Sequence, residues 1–195
     1  MSDVLIAAPL RLEALLIASA ARGARVRRTG MGPRRAQAAA GLLGTTPGDA
    51  LLVLGFCGGL DEESRPGDVV VAEEVVAATD EGHSLMEIRC DGVQTLTRAL
   101  EDSGLAVRTG RVVSVARLAL GPRRAELLAG GALAVDMESV WLAAGAADRP
   151  FAVVRVVLDS PSHELLRPQA AAGAVRAARA LRRVAGALHD WAPDV

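Results

Sequence analysis

Two acidic runs close short apolar stretches: Val135-Asp136-Met137-Glu138-Ser139 and Val156-Val157-Leu158-Asp159-Ser160-Pro161. A carboxylate at a helix start can accept hydrogen bonds from vicinal hydroxyls. One at a strand end can act as a general acid if burial keeps it protonated. Taken alone, either acid is equally a helix cap or a turn former. A third candidate lies at the first strand-to-helix junction, Ala7-Ala8-Pro9-Leu10-Arg11-Leu12-Glu13. There a cation and a carboxylate project near the free N–H groups of a helix start, a place suited to an anion or a polarised water. Capping the first turn is the plainer role for Arg11 and Glu13.

Two glycine segments could bring a ligand close to the backbone. Thr29-Gly30-Met31-Gly32-Pro33-Arg34 is a glycine turn that opens a helix, with Pro33 suited to the first helical position. Gly55-Phe56-Cys57-Gly58-Gly59-Leu60 ends a hydrophobic strand in small residues, against which a flat ligand can lie. Arg65-Pro66-Gly67-Asp68 then leads into Val69-Val70-Val71. No histidine neighbours Cys57 in sequence, so a small buried thiol is the better reading than a nucleophile.

The elements that must position these residues alternate in type. Short Val/Leu/Ile runs suit buried strands at Val4–Ala8, Ala24–Thr29, Ala50–Gly55, Asp68–Ala72, Val107–Val115, Leu133–Val135 and Phe151–Leu158. Ala/Leu/Arg segments suit helices at Leu10–Ala21, Pro33–Leu43, Val93–Asp102, Arg123–Leu128, Met137–Ala147 and Pro168–Trp191. This alternation predicts an α/β fold: one domain over residues 1–195, with a mixed, largely parallel sheet flanked by helices. In the last helix Ala174, Ala177, Leu181, Val184, Leu188 and Trp191 form one apolar stripe. Arg176, Arg179 and Arg183 lie opposite, a face suited to solvent, a partner or an anionic lipid surface.

Composition narrows the functional classes. Aromatic residues make up only 2% of the 195 residues, so Ala, Val and Leu must build the core. The net charge of −1 supplies no global field for nucleic acid. Cys57 and Cys90 form neither a C-x-x-C pair nor a cluster with histidines, so no zinc site or disulfide framework is expected, which fits a cytoplasmic protein. Arg11 and Glu13 interrupt the apolar N-terminal run, and no basic segment precedes it, so neither a signal peptide nor a membrane span is expected.

The run Val135–Ser139, followed by Pro150-Phe151-Ala152-Val153-Val154-Arg155-Val156-Val157-Leu158-Asp159, resembles the signature of the purine nucleoside phosphorylase and methylthioadenosine nucleosidase superfamily. Gly55–Gly59 and Arg65–Val71 resemble that family's glycine strand and its continuation. The resemblance implies cleavage of the bond between a purine base and a ribose-type sugar. It assigns Met137 and Glu138 to the sugar and Asp159 to protonation or hydrogen bonding of purine N7. Glu13 falls where the nucleosidases orient the attacking water, and Cys57 and Gly58 count among the substrate-binding residues. Pro9-Leu10-Arg11 also resembles the stretch in which bacterial phosphorylases carry a phosphate-binding arginine.

Hydrolysis is the expected reaction, because Glu13 would repel a phosphate dianion and no second phosphate arginine is evident. A phosphorylase and a non-catalytic nucleoside-binding module are the alternatives. The opening Pro9–Glu13 and the stretch Leu158–Leu166 look most similar to the hopanoid-associated group, which implies a lipid-linked adenosine, adenosylhopane, as substrate and adenine as product. Two departures stand out: Leu158 replaces the usual serine before the aspartate, and Leu118 lies where related nucleosidases carry an aromatic. The resemblance further implies a homo-oligomer, in the simplest case a dimer, and neither metal nor organic cofactor.

Overall fold

Among the described residues eight strands form one sheet, and the apolar runs lie within it, where pairing satisfies the backbone groups of buried residues that have no polar side chains. The computed structural model describes residues 3–21, 23–78, 84–163, 170–188 and 191. In order the elements are β1 (Val4–Ala8), α1 (Arg11–Ala18), β2 (Arg25–Arg28), α2 (Pro33–Thr45), β3 (Ala50–Gly59), β4 (Val69–Ala78) and β5 (Ser84–Arg89). There follow α3 (Val93–Asp102), β6 (Val107–Ser114), α4 (Pro122–Ala129), β7 (Ala132–Asp136), α5 (Ser139–Leu142), β8 (Phe151–Asp159) and α6 (Ala170–Ala187). Most pairings are parallel, with antiparallel contacts at β3–β7, β4–β5 and β4–β8.

Five strands close on themselves, in the order β3, β8, β4, β6, β7 and back to β3. The closing contact is short: Gly58 pairs with Val135 and Gly59 with Ala134. Side chains would block it. A Cβ on Gly59 would sit 2.5 Å from Ser64 Cβ, and one on Gly58 would lie 3.0 Å from an Arg124 nitrogen. The glycines therefore carry β3 beyond the predicted end at Gly55 and into the ring.

Alternation along β8 divides the core. Ala152, Val154 and Val156 join Ile17, Leu96, Leu100, Leu181 and Val184 beneath α1, α3 and α6. Phe151, Val153 and Val157 join Ala36, Leu43, Val140 and Leu142 beneath α2 and α5. The stripe read in the last helix is buried as expected at Ala177, Leu181, Val184, Leu188 and Trp191. Its predicted start at Pro168 lies outside the described residues.

Two elements differ from the sequence reading. β4 runs to Ala78 and pairs with β5, which was not anticipated, because Glu73-Glu74 breaks the apolar run. Glu74 is accommodated by the neighbour on the other side, where Arg111 Nε of β6 donates to Glu74 Oε1 at 2.5 Å. The helix expected over Met137–Ala147 starts only at Ser139 and tightens into a 3-10 turn over Ala143–Ala146. Asp136 accepts hydrogen bonds from the N–H groups of Glu138 and Ser139, and this delays the helix.

Leu181→Ala is expected to cost about 2–5 kcal/mol, whereas Arg179→Ala on the exposed face is expected to stay within about 0.5 kcal/mol. Urea unfolding followed by circular dichroism measures both. Equal effects would mean that α6 does not bury the face described.

Candidate active site

One charged side chain interrupts the nine residues of β8. Arg155 is fully buried, and its Nη2 lies 2.7 Å from Asp136 Oδ2. It also donates to the Ser139 hydroxyl from Nη2 at 2.9 Å and from Nε at 3.2 Å, and from Nη1 to the Phe56 carbonyl at 3.4 Å. The second Asp136 oxygen accepts from Ser114 Oγ at 2.6 Å and from the N–H groups of Glu138 and Ser139 at 3.1 and 3.3 Å. The ends of β6 and β7 and the middle of β8 are thus tied to one ion pair.

Glu13 stands beside this pair. Its Oε2 accepts from Leu10 N at 2.6 Å and its Oε1 from Phe56 N at 2.7 Å, so it caps its own helix and also fastens α1 to β3. Gly55 makes the room: a Cβ there would lie 2.7 Å from Glu13 Oε1 and 2.9 Å from Arg155 Nη1. Glu138 Oε1 accepts from Gly32 N at 2.9 Å, and its Oε2 is 3.7 Å from Arg155 Nη2. Asp159, at the end of β8, is held from the opposite side, with Arg124 Nη2 2.5 Å from its Oδ2. The rest of that guanidinium donates to the carbonyls of Ala119 (3.0 Å) and Gly59 (3.4 Å).

Four buried carboxylates therefore share two buried guanidinium groups. Burial pushes Glu138 up to about 7, against the pull of Arg155 and with the push of Asp136. Burial likewise raises Glu13, partly offset by Arg155 and by the Phe56 and Leu10 N–H groups. Desolvation raises the Cys57 thiol well out of the physiological range, so it is a neutral wall group and not a nucleophile.

An open cleft of about 570 Å³ gathers these groups. Glu13, Cys57, Gly58, Met137, Glu138 and Asp159 all line it, as do Leu118 and Leu158 at the two departures noted in the sequence. Arg11 does not. It lines a separate pocket with Arg28 and Arg35, on the far side of Pro9, Leu10 and Met31. Two residues apart on a helix point about 200° apart, so Arg11 and Glu13 cannot serve the same cleft wall. Residue types and spacing alone point to no role for Arg155, Asp136, Arg124 or Phe56. Arg155 carried a signal, since a lone charge in a buried strand must be paired. Arg124 carried none, because only helix rotation distinguishes it from Arg123.

The sequence profile of the phosphorylase superfamily matches residues 20–186. No curated protein matches the chain. Among solved structures, the 5'-methylthioadenosine/S-adenosylhomocysteine nucleosidase of Helicobacter pylori, crystallised with butyl-thio-DADMe-Immucillin-A, superposes with a TM-score of 0.77 at 16% identity, covering 96% of each chain. The corresponding nucleosidase of Neisseria meningitidis, in complex with methylthio-immucillin-A, gives 0.76 at 20% identity, covering 98% of this chain and 100% of that one. Futalosine hydrolase of H. pylori gives 0.74 at 16% identity over 96% and 95%. At these identities the likeness establishes the shared fold.

The raised Glu138 makes stability depend on pH with a defined sign. The folded chain keeps this proton up to about pH 7, whereas the unfolded chain releases it near 4.5. Between those values the folded state binds more protons, so raising the pH favours unfolding. The melting temperature is expected to fall from about pH 4.5 to about pH 7 and then to level off with respect to this group. Glu138→Gln should flatten part of that slope in thermal unfolding across the same range, and an unchanged slope would contradict the assignment.

Proposed function

The chain belongs to the phosphorylase superfamily, and on that premise we propose that it is a purine nucleosidase, hydrolysing the N-glycosidic bond of an adenosine-type nucleoside to release adenine. The observation that carries the choice of water over phosphate is the charge of the cleft. Among the described residues its lining holds Glu13, Asp136, Glu138 and Asp159 and no lysine or arginine. A phosphate dianion would face these carboxylates, while Arg155 is spent on Asp136 behind them. Water carries no such penalty.

The chemistry follows from position. Asp159, with one oxygen fixed by Arg124, donates its proton to N7 of the base, so that the carbon–nitrogen bond breaks with a neutral leaving group. The sugar becomes oxocarbenium-like. Glu138, held by Gly32 N, accepts hydrogen bonds from the sugar hydroxyls, and Met137 packs against the ring. Glu13 takes a proton from water as the water oxygen bonds to the anomeric carbon. Burial makes Glu13 a stronger base than an exposed glutamate. Cys57 and Gly58 supply a small-residue wall for the flat base, and Phe56 is the aromatic side chain at the cleft.

The finer reading is a lipid-linked substrate of the adenosylhopane type. It is supported by the resemblance to the hopanoid-associated group and by the apolar cleft mouth, where Leu118 and Met31 are 64% and 52% exposed. Homo-oligomeric assembly, in the simplest case a dimer, is supported by Leu42, 73% exposed on α2, and light scattering tests it. A cytoplasmic location is supported by free Cys57 and Cys90.

Purified protein incubated with adenosine, methylthioadenosine and an adenosine carrying a long apolar 5' group is expected to release adenine without added phosphate, as followed by chromatography. Asp159→Asn and Glu13→Gln should each lower kcat by about 10²–10⁴. Strict dependence on phosphate would replace this reading by phosphorolysis. Binding without turnover, unaffected by Asp159→Asn, would leave only a nucleoside-binding module.

As a hydroxyl acceptor, Glu138 makes nucleoside binding depend on pH. Vicinal hydroxyls need the ionised form, so nucleoside affinity should rise with pH up to about 7 and then level off. Calorimetric titration at several pH values measures this, and a flat profile equal to that of Glu138→Gln would exclude the role.

A further inference from the structure

A second pocket, of about 660 Å³, adjoins the cleft across the shared wall of Pro9, Leu10 and Met31. Arg11, Arg28 and Arg35 line it, and none of the three has an ion pair or side-chain hydrogen bond to a described residue. The side chain of Arg35 lies over Gly30: a Cβ on that residue, whose φ is +89°, would come within 2.7 Å of Arg35 Cδ. Unpaired guanidinium groups converging on one opening are the donor set for a phosphate-type anion. Met31 is the exposed apolar side chain in this lining, and α1 carries two more beside Arg11 in sequence or one turn on. Leu12 and Leu15 on α1 are 57% and 60% exposed, Met31 is 52% exposed, and Leu15 lies one helical turn from Arg11 on the same face.

We propose that this rim docks the protein on an anionic lipid surface, with a headgroup phosphate held by Arg11, Arg28 and Arg35. Leu12, Leu15 and Met31 enter the boundary between headgroups and acyl chains. The charge and the apolar side chains select this occupant together. In a twofold pairing of this face with a second copy, arginines would oppose arginines, which costs attraction where a stable interface needs it. A nucleic acid backbone would satisfy the arginines but would leave the two leucines facing a charged ligand, and the patch offers no aromatic ring on which a base could stack. A free phosphate would use the arginines and leave the leucines without function. The inference deepens the nucleosidase reading, because a lipid-linked nucleoside in such a surface would stand at the mouth of the cleft. Docking itself is measured without turnover.

The experiment is co-sedimentation of the full chain with vesicles of phosphatidylcholine alone and of phosphatidylcholine mixed with phosphatidylglycerol, at low and at physiological salt. The expected result is binding to the mixed vesicles only. The triple variant Arg11→Gln/Arg28→Gln/Arg35→Gln should weaken it about one hundredfold, at roughly fivefold per arginine. Leu12→Ser/Leu15→Ser should leave a residual binding that disappears at physiological salt. Arg176→Gln/Arg179→Gln, on the basic face of α6, should bind as the unaltered chain does. Equal binding to both vesicle types overturns the proposal, as does loss of binding in the α6 variant with retention in the triple variant. Saturable binding of inorganic phosphate without vesicle binding also overturns it, and so does a change of mass in light scattering for the Leu12/Leu15 variant. Vesicle binding as expected with no adenine released from any nucleoside supports docking and removes the nucleosidase reading alone.

Discussion

The pairing of Arg155 with Asp136 is the interaction on which the rest of the site depends. Moving two such charges out of water is expensive, and the attraction between them offsets this only when every remaining donor and acceptor is satisfied. Here Ser114, Ser139, the Phe56 carbonyl and two backbone N–H groups complete the set. These partners come from three separate parts of the chain: Phe56 in β3, Ser114 in β6, and the turn at Glu138 and Ser139 that follows β7. The pair therefore locks β3, β6, β7 and β8 into one arrangement, since any slip would leave a buried charge without its partner.

The charge count around that lock explains the chemistry open to the cleft. Asp136 and Asp159 have guanidinium partners in direct contact, while Glu13 and Glu138 rely on backbone N–H groups and on the more distant field of Arg155. Backbone dipoles compensate burial less well than a full opposite charge does. The two glutamates consequently hold protons more tightly than exposed ones. One cavity thus holds carboxylates compensated in two ways, Asp136 and Asp159 by guanidinium groups and Glu13 and Glu138 by backbone N–H groups.

Geometry at the ring closure makes this compatible with a well-packed interior. β3 approaches β7 and β8 at once only because Gly55, Gly58 and Gly59 carry no side chains. The space released at Gly55 is filled by Glu13 and Arg155, and that at Gly58 borders Arg124 and Asp159. The glycines act less through conformational freedom than through absence of volume. Ordinary side chains there would push the functional groups out of reach of one another.

Much of this was legible in the order of residue types. The apolar stripe of α6, the Val-rich buried strands and the carboxylates at strand ends follow from local periodicity and from where an α/β sheet opens its ends, and they led to Glu13, Glu138 and Asp159. What only the tertiary structure decided was direction and partnership. Helix rotation sends Arg11 away from Glu13, and sends Arg124 but not Arg123 inward. Closure of the ring brings Gly55 against Arg155 across 100 positions of sequence. β5 pairs with β4 although Glu73-Glu74 interrupts the apolar run there, with Val75 opposite Ile88 and Ala77 opposite Met86. Periodicity reports which face of an element is buried, but which charge meets which is fixed only when separate elements are packed together.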